Sequence, residues 1–171
     1  MNYRIAPFLI AAAAFLLDRI TKIIIKAELS TFDTVRVIPG FFNIVHTENP
    51  GVAFGLFSDS AGPLRAIVLI GLSTTVLAVV MTILLKPLQP GERRNWLMRI
   101  ALALVLGGAL GNLYDRIVHG TVSDFVEIYA DTHYFPAFNV ADSCITIGAA
   151  LLIIDMLRSR DRRHQHANAS D

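Results

Sequence analysis

The sequence predicts an all-α membrane protein with four transmembrane helices and a small β-rich cap on one face of the membrane. Hydrophobic residues make up 54% of the 171 residues and charged residues only 17%, whereas a soluble domain is about 25% charged. The stretch 66–85 carries no charge. At about 1.5 Å of rise per residue, a helix of that length spans the roughly 30 Å hydrocarbon core. Lipid is therefore the expected solvent.

Three further apolar segments complete the predicted set, and each of them carries some polar residues. The four helices are expected at about 5–25, 66–85, 96–118 and 138–157. Four such segments leave too little chain for a water-facing shell, so the buried helices of a soluble domain are a poor alternative. Residues 1–158 are predicted to form a single membrane-embedded domain, and residues 159–171 a disordered cytoplasmic tail.

The distribution of positive charge predicts the orientation of these helices. The connection between helices two and three carries Lys86, Arg93 and Arg94, and the segment 158–163 contains four arginines. In contrast, the stretch 117–137 has no lysine or arginine. Both termini and the middle connection are therefore expected on the cytoplasmic side, with segments 26–63 and 119–137 on the outer face.

The two outer segments have the composition of strands. The stretch 34–47 (TVRVIPGFFNIVHT) is rich in β-branched and aromatic residues and is interrupted by Pro39-Gly40, which favours a short strand pair. The stretch 121–130 (TVSDFVEIYA) alternates loosely, although an amphipathic helix in the membrane interface is an alternative there. The strand interpretation predicts the β-rich cap.

Polar side chains from four separate parts of the chain are predicted to lie at one level, near the outer face. Ionisable residues inside a membrane are costly and by default indicate a functional site. On helix three, Gly107 and Gly111 have the GxxxG spacing that lets another helix approach closely. Gly108 recurs with Asn112 and Asp115 at helical spacing and is expected on that same face. The polar residues at this level are Asp18, Lys22, Asn112, Asp115, Arg116, Asp124, Asn139 and Asp142.

Two of these residues, Asp124 and Asp142, could perform peptide hydrolysis if they face each other across a small wet cavity. Two carboxylates in a poorly hydrated site share one proton, because both cannot ionise cheaply. The ionised member can deprotonate a water that attacks a peptide carbonyl. The protonated member can polarise that carbonyl and protonate the departing amine. This chemistry requires no cofactor and no metal.

Other interpretations of the same residues remain open at this point. Asp115, Asp124 and Asp142 could ligate Mg²⁺, whereas the histidines lack the close spacing of a zinc site. Cys144 lies two residues after Asp142, on a different side of the helix, and is expected to be a packing residue. A proton-coupled transporter would also use intramembrane charges, but it predicts them along a whole transmembrane path. A purely structural membrane module would not need carboxylates gathered at one depth.

Five sequence blocks, in order along the chain, resemble the bacterial lipoprotein signal peptidase (signal peptidase II) family. They are DRITK at 18–22, NPGVAFG at 49–55, GGALGNLYDR at 107–116, VSDF at 122–125 and FNVADSCI at 138–145. A single block is only suggestive, but five in this order are highly specific and cover nearly the whole chain apart from the tail. Ser123 departs from the pattern, because many family members have an apolar residue there.

The resemblance implies an intramembrane aspartic endopeptidase that removes signal peptides from diacylglyceryl-modified prolipoproteins, cleaving just before the lipobox Cys. Asp124 and Asp142 would be the catalytic pair. Asn112 and Arg116 would hold the substrate and polarise the scissile carbonyl. The residues that would support the site are Asp18, Lys22, Asn49, Gly51, Gly108, Asp115 and Asn139.

The resemblance also implies a location and a set of partners. The chain is expected to be a multi-pass protein of the bacterial inner membrane, with its cap and its active site at the periplasmic face. That level agrees with the depth of the polar residues, because a signal peptide that enters from the cytoplasm emerges there. The expected partners are prolipoprotein substrates and membrane lipids, and the chain is expected to be a monomer. A net charge of +1 argues against a nucleic-acid partner.

Overall fold

The computed structural model describes residues 3–51, 63–87 and 95–168. The helices are α1 (Ala6–Glu28), α2 (Pro63–Leu85), α3 (Trp96–His119) and α4 (Val140–Asn168). The strands are β1 (Thr34–Ile38), β2 (Phe42–Asn49), β3 (Val122–Ala130) and β4 (His133–Tyr134). The four predicted helical segments are helices, and both outer segments contain strands, so the alternative of an interfacial helix at 121–130 is wrong.

Within the described residues, three helical segments are long and apolar enough to cross a membrane. They are Leu64–Leu85, Trp96–Val118 and Val140–Ser159. The first predicted transmembrane segment is also helical, but α1 carries Asp18, Arg19 and Lys22 in its second half.

The fourth helix continues beyond its predicted end at 157. It reaches Asn168 and so includes most of the segment that the sequence predicted to be disordered. Residues 159–168 contain no glycine or proline, and their arginines are favourable helix formers, so no local signal ends the helix. Residues 169–171 lie outside the described residues, as do residues 52–55 of the NPGVAFG block and Arg93 and Arg94 of the middle connection.

The third helix packs against each of the other three helices. Small residues permit this: a Cβ added at Gly107 would lie 2.5 Å from the Ala11 carbonyl oxygen of α1. A Cβ at Gly108 would collide with the Ala141 carbonyl oxygen of α4 instead. Gly107 and Gly108 therefore allow two helices to approach α3 on different sides, rather than the single shared face that was predicted.

The strands form one antiparallel sheet in the order β1-β2-β3-β4. The chain leaves α3 through Gly120, whose φ of +77° suits glycine, and enters β3 almost immediately. Phe138 then pairs with Val126 of β3 through two backbone hydrogen bonds of 2.8 and 3.0 Å. This pairing holds the start of α4 beside the strand that carries Asp124.

Candidate active site

The polar residues predicted from the sequence meet in one cluster where the helix bundle joins the sheet. At its base the Lys22 ammonium is fully buried. It lies 2.9 Å from Asp18 Oδ2 and 2.8 Å from Asp115 Oδ2, and it donates to Asn112 Oδ1 at 3.1 Å. An ammonium has three donors, so these acceptors satisfy it completely and connect α1 with α3.

The contact with Lys22 fixes the orientation of the Asn112 amide. Because an ammonium can only donate, the Asn112 atom that faces it is the oxygen. Asn112 Nδ2 therefore points the other way and donates to Asp142 Oδ1 at 2.7 Å. Arg116, one turn later, donates from Nη1 to the Asn112 carbonyl oxygen at 3.3 Å. The buried Lys22 ammonium on α1 thus determines that Asp142 receives its hydrogen bond from Asn112 Nδ2.

The N-terminus of α4 positions Asp142 through a reciprocal cap. Asn139 Oδ1 accepts the Asp142 amide at 2.9 Å, and Asp142 Oδ2 accepts the Asn139 amide at 3.3 Å. This is the geometry of a capping box. Asp18 Oδ1 accepts a third amide of the same turn, from Ala141, at 3.0 Å. Asp142 therefore lies at the positive end of the α4 dipole.

The same asparagine also contacts the other predicted catalytic residue. Asn139 Nδ2 donates to Asp124 Oδ1 at 2.7 Å, while Asn49 Nδ2 donates to Asp124 Oδ2 at 2.9 Å. The Asn49 oxygen in turn accepts the Gly51 amide at 2.8 Å, in a turn where Gly51 has φ +98°. Asn139 thus contacts Asp124 and Asp142 at once.

Asp124 is 3% exposed, and its surroundings favour its protonated form. Burial raises the pKa of Asp124 to about 6. The neighbouring Asp142 carboxylate contributes to this rise, whereas the hydrogen bonds from Asn49 and Asn139 oppose it. The two carboxyl groups therefore occupy different environments, one at a helix N-terminus and one on a buried strand.

Both carboxyl groups open into a cavity of about 830 Å³. Asn49, Gly51 and Arg116 line its polar end beside them. Arg116 Nε is buried and has no hydrogen-bond partner within the described part of the chain. The rest of the lining is mainly apolar: Leu69, Phe135, Pro136, Ala137, Phe138, Ser143, Thr146 and Ile147. Such a site suits an apolar ligand with a polar reacting group.

The alternative of a Mg²⁺ site does not fit this arrangement. Asp115 is occupied by Lys22 and by Arg19, whose Nη1 lies 2.7 Å from Asp115 Oδ1. It is therefore neutralised by cations and is not free to act with Asp124 and Asp142. Among residues 3–51, 63–87 and 95–168, no group of three or more His, Cys, Asp or Glu residues could hold a metal ion.

Sequence reasoning did not identify Arg19 and Glu48, which also belong to the cluster. Arg19 pairs with Asp115 and lies over the Tyr114 ring, 4.7 Å from its centroid. Its position within DRITK was an available signal. Glu48 directly precedes Asn49 and accepts a hydrogen bond from Ser123 Oγ at 2.9 Å. The hydrogen bond between Ser123 and Glu48 follows from the register of β2 and β3, which the sequence did not reveal.

Solved structures with a similar fold define the class of protein. Two of them are described as bacterial membrane enzymes. The first has a TM-score of 0.78 and 32% identity, and the match covers 92% of this chain and 90% of that one. The second has a TM-score of 0.75 and 33% identity, with coverage of 89% and 92%. The fold is therefore that of a bacterial membrane enzyme.

Sequence comparison identifies the family within this class. The family model for signal peptidase (SPase) II matches residues 10–158. The lipoprotein signal peptidase of Solibacter usitatus is 42% identical over 161 residues, which cover 94% of each chain. Those of Pseudomonas aeruginosa and Pseudomonas putida are 47% and 43% identical, covering 88% and 92% of this chain and 87% and 90% of theirs. The chain belongs to the signal peptidase II family and is a protease, as its five sequence blocks predicted.

Because each of the three Lys22 N–H donors has an acceptor, replacing Lys22 is predicted to reduce stability. Lys22→Met leaves the Asp18 and Asp115 carboxylates buried beside one another with fewer partners, so we expect the free energy of unfolding to fall by about 3–5 kcal/mol. The matched control is Lys26→Met, because the Lys26 ammonium is partly exposed and pairs with Glu48 at 3.3 Å; its loss should cost at most about 1 kcal/mol. Denaturant unfolding in detergent measures both, and equal losses would contradict the assignment.

Proposed function

We propose that this chain is an intramembrane aspartic endopeptidase that removes signal peptides from diacylglyceryl-modified prolipoproteins, cleaving just before the lipobox Cys with Asp124 and Asp142. The observation that carries the proposal is the position of Asn139, which hydrogen-bonds to both carboxyl groups at the wall of one cavity. The name lipoprotein signal peptidase, which the relatives carry, supports the class of substrate.

The different surroundings of the two carboxyl groups suggest a role for each. Burial raises the pKa of Asp124 to about 6, so we assign Asp124 as the member that holds the shared proton. Asp142 accepts N–H donors at both oxygens and is the carboxylate. Asp142 takes a proton from a water molecule, whose oxygen bonds to the scissile carbonyl carbon, while Asp124 protonates the carbonyl oxygen.

Collapse of that intermediate completes the reaction. The proton held by Asp142 passes to the departing nitrogen, the carbon–nitrogen bond breaks, and Asp124 recovers its proton from the hydroxyl that becomes part of the new carboxyl group. The products are a signal peptide with a free carboxyl group and a Cys with a free amine. The Arg116 guanidinium, which lines the cavity beside both carboxyl groups, provides a donor for the carbonyl oxygen as negative charge develops there.

The shape of the cavity fits the proposed substrate. Signal peptides are apolar where they cross the membrane, and the lipobox Cys carries two acyl chains. The apolar part of the cavity lining comes from α2, α4 and the segment before α4, with Leu69, Phe138 and Ile147 as examples. The polar end holds both aspartates. A substrate anchored by its apolar groups would therefore present its peptide bond to the pair.

We propose that α1 is the fourth transmembrane helix. Its charged residues Asp18 and Lys22 are fully buried against α3, whereas Leu16, Leu17 and Ile20 are each more than half exposed. A helix with its charges inside the protein and apolar residues outside suits a lipid environment. Together with the distribution of arginines, this arrangement of α1 supports a topology in which both termini lie on the cytoplasmic side of the bacterial inner membrane. The active site then lies at the periplasmic face. Lipids and prolipoproteins are the partners proposed for a monomeric enzyme.

The distribution of buried charge favours a peptidase over a transporter. Arg99 is buried near the opposite end of α3, where it donates to the Leu84 carbonyl oxygen at 2.9 Å. Between Arg99 and the active-site cluster, the core of the described bundle is apolar and includes Leu102, Ala103 and Leu106. A proton relay needs a continuous set of polar groups, and the described core interrupts it.

The catalytic assignment predicts the effect of removing either carboxyl group. Asp124→Asn and Asp142→Asn should each reduce cleavage by about 10²–10⁴-fold, since each removes one proton-transfer group. Asp155→Asn is the matched control, because Asp155 accepts from Asn95 at 2.6 Å far from the cavity. Purified protein with one diacylglyceryl-modified precursor, followed by mass spectrometry, measures cleavage, and a chelator should leave it unchanged. Normal cleavage by either active-site variant, or loss upon chelation, would refute the proposal.

The environment of Asp124 predicts the pH dependence of catalysis. If Asp124 must be protonated, kcat falls as the pH rises through about 6, the pKa to which burial raises it. Asn49→Ala removes a donor that favours the ionised form, so the pKa rises and the fall moves to higher pH. Asn43→Ala, which breaks a hydrogen bond to Glu127 elsewhere in the sheet, should not move it. A midpoint that stays fixed or decreases in Asn49→Ala would contradict the acid role.

A further inference from the structure

Glu48 lies on β2 directly opposite Ser123, between two residues that contact Asp124. On one side of Glu48, Asn49 donates to Asp124 Oδ2 at 2.9 Å. On the other side, Thr47 Oγ1 lies 3.5 Å from the Asp124 carbonyl oxygen. The Glu48 side chain points to the opposite face of β2 from Thr47 and Asn49, because successive side chains of a strand point to opposite faces.

Four polar side chains from three parts of the chain contact the Glu48 carboxylate. Thr121 Oγ1 donates to Oε2 at 2.6 Å, and Ser123 Oγ donates to Oε1 at 2.9 Å. The Lys26 ammonium at the end of α1 lies 3.3 Å from Oε1. His46 Nε2 lies 3.2 Å from the same oxygen, while its Nδ1 contacts the Leu29 carbonyl oxygen after α1 at 2.8 Å. We call Glu48 with these four side chains the Glu48 clamp.

The charge on Glu48 is maintained by this clamp. Burial alone would raise the pKa of Glu48, but the hydrogen bonds from Thr121, Ser123 and His46, together with the charge of Lys26, lower it to about 2. Ser123 is completely buried, and its hydroxyl donates to Glu48 on the neighbouring strand.

On its β2 side, the backbone ladder beside Asp124 is short. The pairing of β2 with β3 is interrupted by a register shift between Ile44 and Thr47. After the shift only three residue pairs follow, Thr47 with Asp124, Glu48 with Ser123, and Asn49 with Val122. Such a short ladder next to a bulge specifies register weakly by itself. The Glu48 clamp joins the central pair to α1 and to the residue that follows Gly120.

We propose that Glu48 is a positioning residue for the reaction: the Glu48 clamp fixes the β2–β3 ladder so that Asn49 and Asp124 keep their places relative to Asp142. This inference rests on the proposed catalytic role of Asp124 and Asp142. Catalysis is sensitive to displacement, since a shift of about 1 Å can cost about 10²-fold in rate. Loss of the clamp therefore affects the chemical step more than the binding of substrate by the apolar cavity.

The test uses full-length protein with a diacylglyceryl-modified precursor. Glu48→Leu should lower kcat by about 10–10²-fold with nearly unchanged KM, and the fall of kcat should move to higher pH because Asn49 no longer holds Asp124. Glu48→Gln keeps an acceptor for Ser123 and a donor for Thr121, so it should recover part of both changes. Glu127→Leu is the matched control, since Glu127 accepts from Asn43 at 2.8 Å on the same sheet.

The outcomes separate positioning from stability. Thermal unfolding in detergent gives the folded fraction, and kcat is expressed per folded enzyme. Unchanged kcat and pH dependence in Glu48→Leu, or an equal loss in Glu127→Leu, would overturn the role of Glu48. Asp124→Asn, assayed alongside, distinguishes the two proposals: an inactive Asp124→Asn with a fully active Glu48→Leu refutes only the clamp, whereas an active Asp124→Asn refutes the proposed function itself.

Discussion

A buried ammonium must find acceptors, and the way Lys22 finds them organises the rest of the site. Leaving an ion unpaired inside a protein costs several kcal/mol, so the bundle is stable only with Asp18 and Asp115 beside Lys22 at 2.9 and 2.8 Å. This requirement fixes α1 against α3. It also assigns Asn112 as the third acceptor, and the orientation of that amide then directs a donor at Asp142.

From Lys22 the hydrogen bonds continue through amides whose orientations are determined in turn. Asn112 donates to Asp142, Asp142 and Asn139 cap each other, and Asn139 donates to Asp124. Neither Asn112 nor Asn139 can rotate its side-chain amide by half a turn without losing hydrogen bonds, because the oxygen of each amide faces a donor and the nitrogen faces an acceptor. The polar groups are therefore preorganised before substrate enters, which is the condition under which fixed dipoles contribute most to catalysis.

The sequence was sufficient to predict the helices and the gathering of the polar residues in one cluster, because both depend on properties of single segments. Hydropathy marks α2, and helical spacing combined with orientation brings Asp115 and Asp142 to one depth. Contacts across strands were not predictable in this way. Glu48 contacts Ser123 only because of the register after the bulge, and Gly108 faces α4 because of how the helices cross. Such features follow from packing, which no single segment encodes.

The central claim is that the carboxyl groups of Asp124 and Asp142 act together on one peptide carbonyl. The most direct measurement is an experimental structure of the enzyme with a lipid-modified precursor analogue in which a hydroxyl-bearing carbon replaces the scissile carbonyl. We expect that hydroxyl to lie within hydrogen-bond distance of both Asp124 and Asp142, with the acyl chains in the apolar part of the cavity. A hydroxyl bound away from the two carboxyl groups, or contacting one of them alone, would contradict the account.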